Sequence, residues 1–551
     1  MLRSGFLLLA LAVFAGAQEI IVDNGDSASF TVLAGTWISS TTAPGYYGDN
    51  YLYAITTASG GAPGEVEWRP DLPATGQYEV YVRYTVGANR ADNAPITVNH
   101  RDGSVTVAVN QQANGSQWVL LGTFPFDAGT AGYVRLSNDA NPTVVIADAV
   151  RFLDLSQVQT IAPTDPRIQL EGAFFAAPDV GGFLLRRFSE EILNSTPGTF
   201  SADVARTASG IGLRVRTDGS WIRATFAQTE GYWRAGTLAV YQDGVPDAIG
   251  SALDVYAASS NPGEPVTFRI LCPPYESLVF TGLLLEAGAS VYALPPDGRP
   301  RYLAVGDSIT HGSGMMRTDQ TYPWLLAEAK GWQCFNLGVG GSRTTPSFGS
   351  MLNDEPLDVV TVLWGQNDFT AYNDVPLFIS RYEEFLTNLR QFHAATPVYC
   401  LTLTASTQPE TGSNGYTREQ YRWAVRDIVA GRRAAGDVNI QVIEGLEIST
   451  TADLLDTVHL SATGNANVAT CLAAIIHYPC GRCGFFDFDH DGDVDLTDFG
   501  VFGACFNGPN RPPVYASCHI TDFDADSDVD LTDFAEFATC FNGPNRAARC
   551  R

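Results

Sequence analysis

The stretch Arg301–Gly312, RYLAVGDSITHG, constrains this chain more than any other. Tyr302–Val305 is a short apolar run that reads as a buried strand. Gly306, Asp307 and Ser308 follow at once, and then residues able to open a helix. A side chain at the carboxyl end of a strand in an open α/β sheet stands in the crevice where such folds bind ligands. The glycine lets the backbone turn sharply and bring the serine hydroxyl out. A Gly-Asp-Ser turn is by itself more often only a turn, so its meaning depends on what else the chain brings to it.

Three further blocks follow in order. Asn336–Thr344, NLGVGGSRT, is a glycine-rich loop after a short apolar stretch. Val359–Leu363 is a β-branched strand running into Trp364-Gly365-Gln366-Asn367-Asp368. Asp456-Thr-Val-His459 precedes an Ala-rich helical run. With GDSIT around Ser308, these blocks resemble the SGNH (GDSL-like) hydrolase family over roughly residues 301–478.

The chemistry explains the residue types. A serine is a poor nucleophile until a base takes its proton. His459 suits that role because an imidazole titrates near neutrality. Asp456 lies three residues earlier, within reach of the second ring nitrogen, where it would fix the tautomer and stabilise the imidazolium. The resemblance assigns the oxyanion donors to the backbone N–H of Ser308, the backbone N–H of Gly341 and the side-chain amide of Asn367. Each such donor typically lowers the barrier by about 3 kcal/mol. Asp307 belongs to the same block and reads as support for the turn. His311 lies near the nucleophile without a required role, and Arg343 and Trp364 lie close enough to the donors to contact substrate.

A chain of 551 residues should hold three to four domains. Met1–Ala17 reads as a secretory signal peptide: Arg3, an apolar run Phe6–Phe14, then Ala15-Gly16-Ala17. No later run has the length and uniform apolarity of a membrane helix. The reading is therefore a secreted, extracellular or cell-surface protein. A net charge of −27 argues against nucleic acid or anionic membranes as partners. Ten cysteines in an exported chain make disulfides expected, and six of them follow residue 479.

Residues 18–153 alternate apolar and polar positions. Tyr78, Val80, Val82 and Tyr84 share one strand face, with Glu79, Tyr81 and Arg83 on the other. Val105, Val107 and Val109 repeat the pattern after an Asp102-Gly103 turn. An all-β sandwich is expected. The pieces DNGDSASF, GTWISS, WRPDLPATGQYEVYVRY, NRADNAPITVNHRDG and ADAVRF resemble the golvesin/xanthan-lyase binding-like domain. That resemblance implies a carbohydrate-binding module, with Trp37, Tyr46, Tyr47 and Trp118 available either for sugar stacking or for the core. Leu153–Pro166 reads as a linker. Residues 165–296 hold further strands and read as a second, jelly-roll-like β-sandwich; a sandwich in this position resembles the carbohydrate esterase family 2 arrangement. Residues 300–479 alternate strands and helices, which argues for a parallel sheet covered on both faces.

The last region, residues 484–546, is a repeat. Asp487, Asp489, Asp491, Asp493, Asp495 and Asp498 carry oxygens at calcium-loop spacing, with Gly492 at the turn. Asp522, Asp524, Asp526, Asp528, Asp530 and Asp533 repeat the series 35 residues later, with Ser527 replacing the glycine. An apolar stripe follows each loop: Leu496, Phe499, Phe502, then Leu531, Phe534, Phe537. The pair resembles a type I dockerin, an α-helical EF-hand-like module. The resemblance implies structural Ca²⁺ and leaves open a cohesin-like or cell-surface partner.

The expected fold is thus multidomain: two β-sandwiches, an α/β/α hydrolase domain and a small helical calcium module. The expected activity is hydrolysis of an O-acyl, above all O-acetyl, ester on a polysaccharide through an acyl-serine, with no cofactor in catalysis. Three other readings stay open. They are a lipid or short-chain carboxylester hydrolase, transfer of the acyl group to another hydroxyl, and a non-catalytic adhesion or scaffold protein.

Overall fold

The computed structural model describes residues 19–476 except 114, 196–197, 235 and 354, together with 486, 488, 494–511, 518, 521 and 528–541. The segment Met1–Ala17, expected to be a signal peptide, lies outside the described residues.

The first unit is a β-sandwich. One sheet runs Glu19–Asp23, Ala149–Asp154, Gly76–Val82, Val119–Phe126, and the facing one Phe30–Ala34, Glu65–Trp68, Tyr133–Ser137, Ala94–His100, Gly103–Val109. The period-2 pattern places Tyr78, Val80 and Val82 in its core. The predicted hairpin closes on Arg101-Asp102, with His100 paired to Gly103. Its last strand is an edge, so Val105 stays exposed while Val109 is buried.

Tyr81 departs from the pattern. It points away from that core yet is only 1% exposed. The second sandwich covers this face, where Tyr81, Leu153 and Trp221 form a small cluster. Arg151 lies between the rings of Tyr81 and Tyr256, 4.1 and 4.3 Å from their centroids. Arg223 bridges Glu79 of the first sandwich and Asp254 of the second. Trp118 packs here too, 5.1 Å from the Arg151 guanidinium, and Trp37 and Tyr46 lie against the first core. Tyr47 is partly exposed, 5.6 Å from the Trp118 ring.

The segment expected as a linker is not one. Val158–Ile161 is a strand paired with Leu278–Glu286, so the second sandwich begins almost directly after Asp154. The last strand of this sandwich is only Val291–Tyr292, paired with Arg216 and Thr217. The prolines at 295 and 296 lack the N–H that further pairing needs. The second sandwich is continuous with the next domain. Phe188, Ile192, Leu193 and Ala205 enter one of its cores, and Ala239 and Leu271 the other.

That next domain is a five-stranded parallel sheet. In space its order is Gln333–Gly338, Arg301–Gly306, Val359–Leu363, Val398–Leu401, Ile440–Ile443. Both faces are covered, which is why its strands read as unbroken apolar runs. Leu303 and Val305 enter one core while Tyr302 and Ala304 enter the other. Helices Tyr322–Lys330, Val375–Phe392, Arg418–Ala434 and Ala462–Ile475 start where local chemistry allows. Asp374 caps Leu377 N–H, Thr417 and Gln420 form a capping box, and Ser461 caps Gly464 N–H. The strand order reverses between the first two sequential connections, so the crevice lies at the carboxyl end of Arg301–Gly306.

In the tail, helices Leu496–Cys505 and Leu531–Cys540 pack around Phe486, Val494, Phe502, Val529 and Phe537. The expected apolar stripes are only partly buried: Leu496, Phe499, Leu531 and Phe534 are exposed. Among the described residues these two helices share one interior, too narrow for a full stripe from each. Cys505 is bonded to Cys518, which links the two repeats.

Candidate active site

Three neighbouring strands deliver the groups. Gly306 pairs with Gly338 on one side and with Leu363 on the other, so all three strands end at one level. Ser308 lies two residues past the first end, Gly341 three past the second and Asn367 four past the third. Asp307 turns the chain there. It is the N-cap of the short helix Ser308–His311 and accepts from Ile309 N–H at 3.0 Å. Burial, with the Asp368 carboxylate nearby, pushes the Asp307 carboxyl up to about 7.

Ser308 and His459 meet. Nε2 of the imidazole lies 2.9 Å from the Ser308 hydroxyl, and Nδ1 lies 2.7 Å from Asp456 Oδ2. Asp456 Oδ1 accepts from the Val458 and His459 amides, each at 2.8 Å. Desolvation opposes ionisation of Asp456, but these bonds and the imidazole outweigh it and bring its carboxyl down to about 2. An ionised Asp456 facing Nδ1 requires that nitrogen to carry hydrogen, which leaves Nε2 as the acceptor for the serine proton. The loop is braced from outside: Thr407 N–H and the Ser406 hydroxyl both donate to Thr457 O.

The glycine loop is pinned to the same strand end. Val339 N–H and the Ser342 hydroxyl both donate to Gly306 O. Gly341 has φ of +77°, and a Cβ built there would meet no atom within 4 Å. Its glycine is therefore required by backbone conformation and not by crowding. Among the described residues neither the Ser308 nor the Gly341 amide is engaged by a protein acceptor. One N–H of the Asn367 amide donates to Ser342 O at 2.9 Å. An amide nitrogen has two hydrogens, so one anchors the side chain and the other stays available. Asp368 organises the loop from below by accepting from Thr344 N–H and its hydroxyl.

Two expected neighbours differ. Trp364 cannot touch a substrate: it is 0% exposed, packed against Phe348 and Phe385. It continues the apolar strand before it, and the chain turns outward only at Gly365, where φ is +118°. Arg343 lies over the Tyr372 ring at 4.6 Å and reaches back to Gly198 O of the second sandwich.

Several residues around the site carry no motif. Arg187, fully buried, donates to Asn336 O and Gly338 O at 2.7 Å and, through Nε, to Thr207 O. Desolvation lowers its guanidinium to about 9. Tyr275 stacks on His311 with centroids 4.0 Å apart. Both Arg187 and Tyr275 come from the second sandwich.

In the tail, Asp528, Asp530 and Asp533 each offer a carboxylate oxygen, all within 4.8 Å of one another. Asp533 Oδ2 also accepts from Asp530 N–H at 2.8 Å, and Asp498 Oδ2 does the same for Asp495 N–H. The remaining expected ligands, Asp487, Asp489, Asp491, Asp493, Asp522, Asp524 and Asp526, lie outside the described residues.

Comparison with known proteins shows what parts of this chain are similar to. Residues 304–466 match the GDSL-like lipase/acylhydrolase family, and residues 20–154 match the golvesin C-terminal domain. The chain is 40% identical over 138 residues to a xanthan lyase of Bacillus sp. (strain GL1), covering 24% of this chain. It spans only 14% of that relative's length. A solved salicylyl-acyltransferase from a tetracycline biosynthetic pathway is similar over 57% of this chain and 95% of its own. Its 22% identity and TM-score of 0.51 show a shared fold. An acetyl xylan esterase from the rumen bacterium Butyrivibrio proteoclasticus aligns over 57% of this chain and 97% of its own, with 14% identity and a TM-score of 0.42.

Proposed function

Starting from a chain that carries a GDSL-like SGNH hydrolase domain beside a golvesin C-terminal domain, we propose that it is an exported serine esterase that removes O-acyl, above all O-acetyl, groups from a polysaccharide. The observation that carries the proposal is the continuous hydrogen-bonded line Asp456–His459–Ser308 at the end of the central strand. Ser308 Oγ attacks the acyl carbon as its proton passes to His459 Nε2. The oxyanion is held by the Ser308 and Gly341 amides and the second N–H of Asn367. The sugar oxygen leaves with the proton from His459, and water then repeats the sequence on the acyl-serine. Asp456 keeps the ring in the required tautomer throughout.

Two features support a polymeric substrate. Gly341 and Asp456 are exposed, so the site opens on the surface and is not sealed in a cavity. The golvesin-type domain matches an enzyme named for xanthan, and such a module beside a hydrolase suits an extracellular glycan. Among the described residues no helix is long and apolar enough to cross a membrane.

The tail belongs to the same proposal as a calcium-binding module offering a cohesin-like or cell-surface attachment. Hard carboxylate oxygens such as those of Asp528, Asp530 and Asp533 suit Ca²⁺. Ca²⁺ would stabilise the tail and take no part in the ester chemistry.

A substrate comparison tests the esterase reading. Acetate should be released from acetylated xylan at least tenfold faster than fatty acid from a triglyceride. The reverse preference would replace the polysaccharide reading with a lipid one.

A further inference from the structure

His311 is buried completely, stands beside the nucleophile and is used by no step above. Its two ring nitrogens face opposite chemistries. Nδ1 receives the backbone N–H of Gly340 at 3.0 Å. Nε2 lies 2.7 Å from Pro274 O and 3.0 Å from the Thr207 hydroxyl. Thr207 already donates its hydrogen to Val204 O and so can only accept from the ring. A nitrogen facing an N–H must carry a lone pair, and one facing a carbonyl must carry hydrogen. The ring is therefore the neutral Nε2–H tautomer. Burial, with the Arg187 cation nearby, also disfavours the imidazolium.

The two sets of partners belong to different domains. Thr207 and Pro274 are sandwich residues, whereas Gly340 adjoins Gly341. Tyr275 closes the contact: its ring stacks on His311, and a Cβ on Gly340 would come within 2.8 Å of its hydroxyl. Arg187, also from the sandwich, holds the strand end that leads into this loop.

We infer that His311 is a positioning residue: the second β-sandwich sets its tautomer, and its Nδ1 lone pair then aims the Gly340–Gly341 backbone so that the Gly341 amide meets the oxyanion. The inference rests on the esterase reading above. It makes the second sandwich part of the catalytic unit and not a separate packing module. Without the sandwich acceptors the ring is free to take the other tautomer, which would turn an N–H against the Gly340 N–H.

Three variants and one spectrum test it in the full chain. An asparagine places its oxygen where Nδ1 stands, a glutamine places its amide near Nε2, and a phenylalanine supplies neither. With p-nitrophenyl acetate, His311→Phe should lower kcat at least tenfold with KM within twofold. His311→Asn should recover to within threefold of the parent, and His311→Gln should stay as low as His311→Phe. Inhibition by a boronic acid, whose tetrahedral adduct mimics the oxyanion, should weaken in the same ratio as kcat/KM. An unchanged kcat in His311→Phe, or His311→Gln equal to His311→Asn, overturns the inference; if His311→Phe fails to fold, the Asn and Gln pair decides. A ¹⁵N-histidine spectrum reads the tautomer without any turnover, and an Nδ1–H signal for His311 also overturns it. Failure of the esterase reading looks different: the parent enzyme would then show no turnover dependent on Ser308.

Discussion

The imidazole of His459 stands 2.9 Å from the Ser308 hydroxyl although 151 positions separate them in the chain. That distance is bridged because Ser308 leaves the central strand and the Asp456–His459 loop follows the edge strand Ile440–Ile443 and returns over the same end of the sheet.

Asp456 has one task on this account, to hold the ring. Asp456→Asn should lower kcat about 10³–10⁴-fold, as expected for loss of the correct tautomer, with KM little changed. A kcat within threefold of the parent would remove Asp456 from the line. Because its carboxyl sits near 2, below the ordinary value near 4, the stability it adds is present above about pH 4. That stability is lost as pH falls from 4 through 2. The parent's melting temperature should therefore drop over that interval more than that of Asp456→Asn.

Asp307 gives the opposite slope. Its carboxyl lies near 7, so between about pH 4 and 7 the folded chain holds a proton that the unfolded chain has released. Stability then declines as pH rises through that window. Asn keeps the cap on Ile309 N–H but cannot ionise. The melting temperature of Asp307→Asn relative to the parent should rise from pH 4.5 to 7.5, and a constant difference would contradict the shifted carboxyl.

Arg223 tests the contact between the sandwiches. Its side chain is 6% exposed, between Glu79 and Asp254. Removing one partner of a fully buried pair typically costs about 3–5 kcal/mol; Asp254 is 29% exposed, so Arg223→Ala should cost about 2 kcal/mol. Denaturant unfolding should show the first sandwich loosening, while turnover of p-nitrophenyl acetate stays within twofold. Lost turnover would mean that this contact reaches the active site.

Chelation probes the tail. Close carboxylates repel one another without a cation, so EDTA should lower the helical signal of the tail and raise its protease sensitivity. Ester turnover should stay within twofold. A tail unaffected by EDTA would count against calcium in the repeat.

The parts of this molecule legible in the sequence are those set by short-range chemistry. Val359–Leu363, Tyr322–Lys330 and Ile440–Ile443 follow from local apolar pattern, and Thr417 marks its helix start by its own hydroxyl. Ser308, Gly341, Asn367 and His459 stand out because each follows a strand or precedes a helix with an unusual residue. Arg187, Thr207 and Tyr275 do not stand out, because their partners lie far along the chain in another domain: Thr207 is 104 positions from His311, and Arg187 is 149 from Asn336. Periodicity tells which side of its strand Tyr81 takes, but not that a second domain covers that side. Trp364 differs: it directly follows its strand and is buried by Phe348 and Phe385 of its own domain, which its nearness to Asn367 in the chain does not reveal.

Labelling of the nucleophile tests the central claim most directly. The full chain would be treated with a fluorophosphonate, which bonds to an activated serine hydroxyl, and the adduct located by peptide mass spectrometry. The account predicts one adduct per chain, on Ser308, formed at least a hundredfold more slowly in His459→Ala. An unmodified Ser308, an adduct on another serine, or equal labelling in His459→Ala would contradict it.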